Sequence, residues 1–211
     1  MKQSAPPVLR PAHPTPRPLS ELADRFGLES RADLAGLETV GITLSTLDLR
    51  PGEVFVGIHG VRRHGAELAA EAKAKGAVAI ITDAEGADIA LPSGLPVLIA
   101  DSPRGKLAEL SSWIYGNDES MPIMLGVTGT NGKTSTVHLQ DGILQQLGIR
   151  SGMSSSAHRH INGDVITARL TTPESSELHA LIAYMKEQGV EMFALEVSVQ
   201  AIVRHRVDGV I

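Results

Sequence analysis

The 211-residue chain is 42% hydrophobic and carries 19 basic against 24 acidic residues, for a formal charge of -5; that is ample for a packed core, with no basic surplus to neutralise a nucleic-acid backbone. It contains no cysteine, which excludes disulfides, thiolate metal sites and cysteine nucleophiles together. No stretch approaches the roughly 20 apolar residues of a membrane span and no apolar signal core opens the chain, so a cytoplasmic monomer without nucleic-acid or membrane partners is expected.

Residues 1–18, MKQSAPPVLRPAHPTPRP, hold six of the twelve prolines, a composition that resists helix and ladder alike and predicts a flexible leader. LSELADRFG follows, with Ser20 ahead of an apolar-periodic run closed by Gly27, which predicts a short capped helix. EVFVGI (53–58), AVAIITD (77–83) and PVLIAD (96–101) read as buried strands. HGAELAAEAKAKG reads as a crossover helix stopped by Gly76, and SPRGKLAELSSWIYG as a closing helix. Residues 19–117 are therefore expected to form a small α/β domain, with NDES (117–120) as a hinge.

A second domain is expected over 118–211. PIMLGVT (122–128) reads as a buried strand running into a glycine loop, with KTSTVHLQDGILQQLG as the helix after it. Asn162-Gly163 between two β-prone runs predicts a tight hairpin. TPESSELHALIAYMKEQG predicts a helix with Pro173 and Glu174 near its start. MFALEVS (192–198) predicts another buried strand and VDGVI (207–211) the start of one more. The overall class is α/β: a small α/β domain, then a P-loop mononucleotide-binding parallel-sheet domain. A parallel sheet stopping there lacks a covering helix, as expected of a truncated product of a longer gene.

The loop GVTGTNGKTS (126–135) carries the chemistry. A loop between a parallel strand and a helix sends several backbone N–H groups toward one point, and the helix terminus adds about half a positive charge. Gly129 and Gly132 allow the backbone to approach an anion, Lys133 can reach β- and γ-phosphate oxygens, and Thr134 can offer its hydroxyl to Mg²⁺. The generic G-x4-G-K-[ST] pattern nevertheless fails, because Val127 stands where its first glycine would be. Phosphate binding alone names no reaction, since such loops serve kinases, GTPases, ligases and transporters.

That departure makes the loop similar to the ATP loop of the Mur ligases, whose shared form is close to G-x-T-G-T-N-G-K-T. RLTTPESSELHALIAYMKEQGVEMFALEVSVQAIVRHRVDG resembles the same stretch of the MurE type, and RPGEVFVGIHGVRRHG resembles its N-terminal domain. The resemblance implies an ATP-dependent ligase of peptidoglycan precursor synthesis. It would add the third amino acid, meso-diaminopimelate or L-lysine, to UDP-MurNAc-L-Ala-D-Glu through an acyl phosphate. It assigns ATP to Gly129, Thr130, Asn131, Gly132, Lys133, Thr134 and Ser135, catalysis to Lys133 and Glu196, and magnesium to Thr134 and Glu196. It assigns substrate contacts to Ser45, Thr46, Thr171, Thr172, Ser198, Arg204 and Arg206. Positioning and charge neutralisation suit such chemistry better than a protein nucleophile. A carboxylate such as Glu196, leaving an apolar strand at its C-terminal end, faces the crevice where open α/β sheets bind ligands.

Two positions depart from the family pattern. Leu47 replaces the arginine of an Asp-Ser-Arg motif that touches the uridine, and Gln200 stands where many relatives have histidine. Arg62, Arg63 and His64 could approach the UDP diphosphate, although a charged run more often faces solvent. His158, His160 and His205 lack the spacing of a helical zinc motif. The family's adenine-side segment, carbamylated lysine and C-terminal domain have no counterpart in the sequence, so no ligation is expected from this chain alone. The alternatives are another Mur ligase, a folylpolyglutamate synthase-like ligase, or a non-catalytic module that binds cell-wall precursor.

Overall fold

The computed structural model describes residues 8–210. It divides into two compact units, one over His13–Tyr115 and the other from Gly116 onward together with residues 8–12.

In the first unit β1 (Arg17–Pro18) leads into α1 (Leu19–Phe26), and β2 (Glu29–Ser30), β3 (Glu38–Thr39), β4 (Gly41–Thr43) and β5 (Glu53–Gly57) follow. Next come α2 (Ala69–Ala74), β6 (Ala79–Thr82), α3 (Ala84–Ala90), β7 (Val97–Ile99) and α4 (Pro103–Ile114). The sheet order is β2-β7-β6-β5-β4, with β4 to β7 mutually parallel and β2 antiparallel at the edge. Val54, Phe55, Val56, Ile80 and Ile81 are all buried, so both faces of the central strands are covered and the expected continuous apolar runs are explained.

Several expectations for this unit need correcting. The part of the leader within the described residues is ordered: Val8 is buried, Arg17–Pro18 pair with Glu38–Thr39, and the Arg17 guanidinium lies 5.2 Å from the Trp113 ring centroid. Proline is compatible with a two-residue edge strand, and the cation over the indole adds a tether that composition does not display. Residues 1–7 lie outside the described residues. Pro18, not Ser20, holds the N-cap position of α1. The crossover helix is split, with a 3-10 turn over Gly65–Leu68 before α2. A Cβ on Gly65 would meet the Ile58 nitrogen at 2.9 Å, so the tighter turn rests its backbone directly on the end of β5.

The second unit contains β8 (Ile123–Val127), α5 (Lys133–Gln146), β9 (Ser151–Ser154), β10 (His158–Ile161), β11 (Asp164–Thr167), α6 (Ser175–Glu187), β12 (Met192–Glu196) and α7 (Val199–Val203). Its sheet order is β11-β10-β9-β12-β8; β9, β12 and β8 are parallel and the β10–β11 hairpin antiparallel. Asn162 and Gly163 both have positive φ, 48° and 98°, and form the two-residue hairpin turn that their sequence predicts. Alternation along β12 explains the layering. Phe193 and Leu195 join Leu178, Leu181, Ile182 and Met185 of α6 on one face, whereas Ala194 packs with Val137 of α5 and Met153 on the other.

Polar contacts fasten the hairpin to α5. Buried Asp141 accepts from the Ser151 hydroxyl at 2.7 Å and the Gln145 amide at 2.7 Å and pairs with the His160 ring at 3.0 Å. The strand expected at 207–211 is instead a turn over its described residues, with Val207 and Val210 buried in the α6 core. A single turn suffices to bury both valines, so their β propensity does not decide the conformation.

Candidate nucleotide site

The end of β8 and the start of α5 are joined by the loop that carries the expected phosphate residues. Its backbone N–H groups from Gly129 to Ser135 donate to no acceptor among the described residues. Gly132 holds the N-cap position of α5 with φ 80°, a left-handed conformation that a side chain would strain, and it supplies no capping side chain. This helix start has neither a side-chain cap nor a neighbouring acceptor for its first turn. Uncapped donors converging at a helix N-terminus favour an anion. The Lys133 ammonium donates to the Gly129 carbonyl at 2.8 Å and the Thr130 carbonyl at 3.4 Å, which places a positive charge over the same loop.

Glu196 reaches this loop because β12 and β8 are parallel neighbours with Glu196 registered on Val127, so both strands end at one level. The Glu196 carboxylate is buried. Its Oε2 accepts from the Thr134 hydroxyl at 3.0 Å, the Ser156 N–H at 2.9 Å and the Ser156 hydroxyl at 3.1 Å. The two hydroxyl oxygens are 3.2 Å apart. Ser156 is a member of this cluster that the sequence reading missed. The available signal was topological: β9 pairs with β12 up to Ser154 against Leu195, so the residues just after β9 must lie beside Glu196.

The other expected substrate residues are placed as follows. Thr172 is buried; its hydroxyl donates to the Glu196 carbonyl at 3.0 Å and accepts from the Ser198 N–H at 3.0 Å, tying the loop before α6 to the end of β12. Thr171 beside it is half-buried. The Ser198 hydroxyl caps α7 by accepting from the Ala201 N–H. Arg206 is buried, with one amino group 2.6 Å from a Glu174 carboxylate oxygen and the other donating to the Thr172 carbonyl at 3.3 Å. Its forked donor set is thus directed at the loop before α6. Arg204 and Gln200 are exposed, and the His205 ring bonds Asp208 at 2.8 Å.

In the first unit Ser45 is half-buried, whereas Thr46 is buried and its carbonyl accepts from the Lys75 ammonium at 2.7 Å. Leu47 is exposed. Arg62 and Arg63 face solvent, but His64 does not: its Nδ1 accepts from the Ala66 N–H and its Nε2 lies 3.1 Å from Asp83. Burial pushes the Asp83 carboxyl up, yet the Gly86 N–H and the His64 ring outweigh it and hold the group below its ordinary range. His64 is therefore a structural residue, because it caps the 3-10 turn while Asp83 caps α3.

Residues 127–211 match the family model described as the Mur ligase middle domain. A curated UDP-N-acetylmuramyl-tripeptide synthetase of Leifsonia xyli is 49% identical over 210 residues, covering 100% of this chain and 41% of the relative.

The chain belongs to the Mur ligase family.

A UDP-N-acetylmuramoyl-L-alanyl-D-glutamate--2,6-diaminopimelate ligase of Streptomyces avermitilis is 43% identical over 201 residues, covering 95% of this chain and 39% of the relative. The chain thus spans about two fifths of the length of the curated Mur ligases it matches. Solved structures agree on the fold. A UDP-N-acetylmuramoyl-L-alanyl-D-glutamate--2,6-diaminopimelate ligase superposes with TM-score 0.71 at 22% identity, over 89% of this chain and 38% of that one. The MurF ligase of Thermotoga maritima, solved in complex with ADP, superposes with TM-score 0.53 at 23% identity, over 75% of this chain and 32% of that one.

Thr134 at the start of α5 and Glu196 at the end of β12 form a donor set that fits a small hard cation. Their donors are all oxygens, and the Thr134 hydroxyl gives its hydrogen to Glu196 Oε2 while keeping lone pairs free. Oε1 of Glu196 accepts no hydrogen bond among the described residues.

Proposed function

We propose that this chain is the nucleotide- and precursor-binding part of a MurE-type ligase. The whole protein would join an amino acid to UDP-MurNAc-L-Ala-D-Glu at the expense of ATP. The observation that carries the reading is the row of unpaired N–H groups from Gly129 to Ser135, with Lys133 over the row and Glu196 beside it. The sequence matches favour the tripeptide step over other Mur reactions, since relatives at 49% and 43% identity bear tripeptide-synthetase and diaminopimelate-ligase names. Diaminopimelate is accordingly the amino acid we propose. Similarity of fold does not discriminate, because MurF structures superpose as well.

The proposed chemistry is a phosphoryl transfer followed by an acyl transfer. A carboxylate oxygen of the D-glutamyl residue attacks the γ-phosphorus of ATP, and ADP leaves. The amine of the incoming amino acid then attacks the acyl carbon of the resulting acyl phosphate. The tetrahedral adduct loses a proton and expels inorganic phosphate to leave the amide. The loop N–H groups and Lys133 hold the triphosphate and offset its charge. Magnesium, held by Thr134 and Glu196, would neutralise charge at the β- and γ-phosphate oxygens. Thr171, Thr172, Ser198, Arg204 and Arg206 are the proposed precursor side of the site, with Thr172 and Arg206 fixing the loop rather than reaching out on long side chains. Ser45 and Thr46 are proposed for the uridine side. ATP and a UDP-linked precursor place the reaction in the cytoplasm; no helix among the described residues is long and apolar enough to cross a membrane.

Isothermal titration of the chain with UDP-MurNAc-L-Ala-D-Glu, with UDP-GlcNAc and folate as competitors, tests the reading. The expected result is binding of the muramoyl dipeptide that UDP-GlcNAc competes for weakly and folate not at all. Displacement by folate, or no binding of the muramoyl dipeptide, would contradict it.

A further inference from the structure

The turn after β9 is built in more detail than a connection requires. Ser155 is fully buried, and its hydroxyl donates to the His158 carbonyl at 3.0 Å while accepting from the Ala157 and His158 N–H groups, each at 3.3 Å. The Ser155 N–H also reaches the His158 carbonyl at 3.1 Å. The His158 ring sits edge-on to the His138 ring of α5, with centroids 4.8 Å apart. This turn is closed on itself around one serine hydroxyl, which leaves the polar groups of Ser156 free to face Glu196.

Ser156 delivers both of its donors to one oxygen of Glu196, at 2.9 and 3.1 Å, and Thr134 gives a third at 3.0 Å. Three donors on Oε2 fix the rotation of the carboxylate and direct Oε1 away from them. We propose that Ser156 is a positioning residue for the cation of the nucleotide site: it holds Oε2 so that Oε1 is the oxygen presented to a divalent metal. The inference rests on the phosphate-site reading above and adds a residue that acts through Glu196 without touching nucleotide. A hydroxyl at position 156 is needed, whereas the backbone N–H survives substitution. Threonine should therefore replace serine and alanine should not.

The test compares the wild-type chain, Ser156→Ala and Ser156→Thr by titration with ADP, once in EDTA and once with Mg²⁺. Thermal melting of each variant verifies the fold, which a substitution at this exposed position leaves intact. The expected result is that Ser156→Ala loses roughly 3- to 10-fold of the gain in ADP affinity that Mg²⁺ confers. Its metal-free affinity stays within about twofold of wild type, and Ser156→Thr restores the gain. Mn²⁺ bound with ADP, followed by loss of the free-ion electron paramagnetic resonance signal, should show the same order. A Mg²⁺-dependent gain in Ser156→Ala equal to wild type overturns the role of Ser156 and leaves the phosphate site standing. A wild-type chain that binds ADP with no gain from Mg²⁺ overturns this inference and the magnesium assignment. A wild-type chain that binds no ADP under either condition overturns the phosphate-site reading and this inference with it.

Discussion

The two sheets treat the polar groups at the C-terminal ends of their parallel strands in opposite ways. In the first unit, His64 and Asp83 each cap a helical turn and bond one another, the Thr46 carbonyl accepts from Lys75 at 2.7 Å, and the Thr82 hydroxyl reaches the Gly57 carbonyl at 2.7 Å. In the second, the first turn of α5 has no side-chain cap and the N–H groups from 129 to 135 have no acceptor among the described residues. Both units follow the same α/β plan, so the difference lies in the loops. Where a loop satisfies its own donors it is structural; where it leaves a convergent set open at a helix start, it suits an anion.

The largest expected effect tests whether the second unit also ties up what it buries. His179 of α6 is fully buried, and the Asn117 amide donates to its carbonyl at 2.9 Å and lies 3.2 Å from its Nδ1. Burial lowers its pKa from 6.5 to about 4. The neutral ring is thus favoured in the fold, so its contribution to stability is complete above pH 6.5 and is lost as pH falls from there toward 4. Chemical denaturation at pH 7 and pH 4 should show wild type losing about 3 kcal/mol more than His179→Gln. Equal losses would mean that the ring is not held neutral.

Next in size is the open loop itself. Lys133→Ala should weaken ATP binding about 10- to 100-fold, by loss of a charge-assisted contact, while stability stays within about 0.5 kcal/mol. If stability falls and affinity does not, the loop belongs with the self-satisfied class. The reciprocal variant in the first unit, Asp83→Ala, removes the α3 cap and the partner of a buried histidine. It should cost about 2 kcal/mol in urea denaturation and leave ATP affinity unchanged. The smallest effect is expected at Leu47, which is exposed in the loop after β4: Leu47→Arg should change stability by less than about 0.5 kcal/mol. If the family's uridine contact is merely missing there, the same variant should tighten UDP-sugar binding in titration.

How much of this could be read from the sequence depended on whether a feature was local. The strand-loop-helix order around Lys133, the Asn162-Gly163 turn and the long helices are readable because their signals lie within a few residues of one another, whereas β8, expected as a buried strand, is an edge strand with Ile123 exposed, because edge position is not a local signal. Glu196 was found through its place at a strand end and its family resemblance. Ser156 carries no local signal in the sequence, because only the pairing of β9 with β12 puts the residue beside Glu196. His64 was misread as solvated because its partner, Asp83, lies on the next strand's loop. The proline-rich leader looked mobile by composition, while its hold on the domain comes from a distant tryptophan and a two-residue ladder. The family resemblance assigns Thr172 and Arg206 to substrate, whereas in the fold they bond the backbone of the loop before α6 and the end of β12.

The central claim is that the unsatisfied N–H groups from Gly129 to Ser135 receive a phosphate, and amide ¹⁵N–¹H spectra of the chain titrated with Mg²⁺ and ADP test it most directly. The largest shifts are expected at residues 129–135 and at Ser156, with the loop at 58–64 of the first unit unmoved. Shifts concentrated at 58–64, or silence from 129–135 at saturating nucleotide, would contradict it.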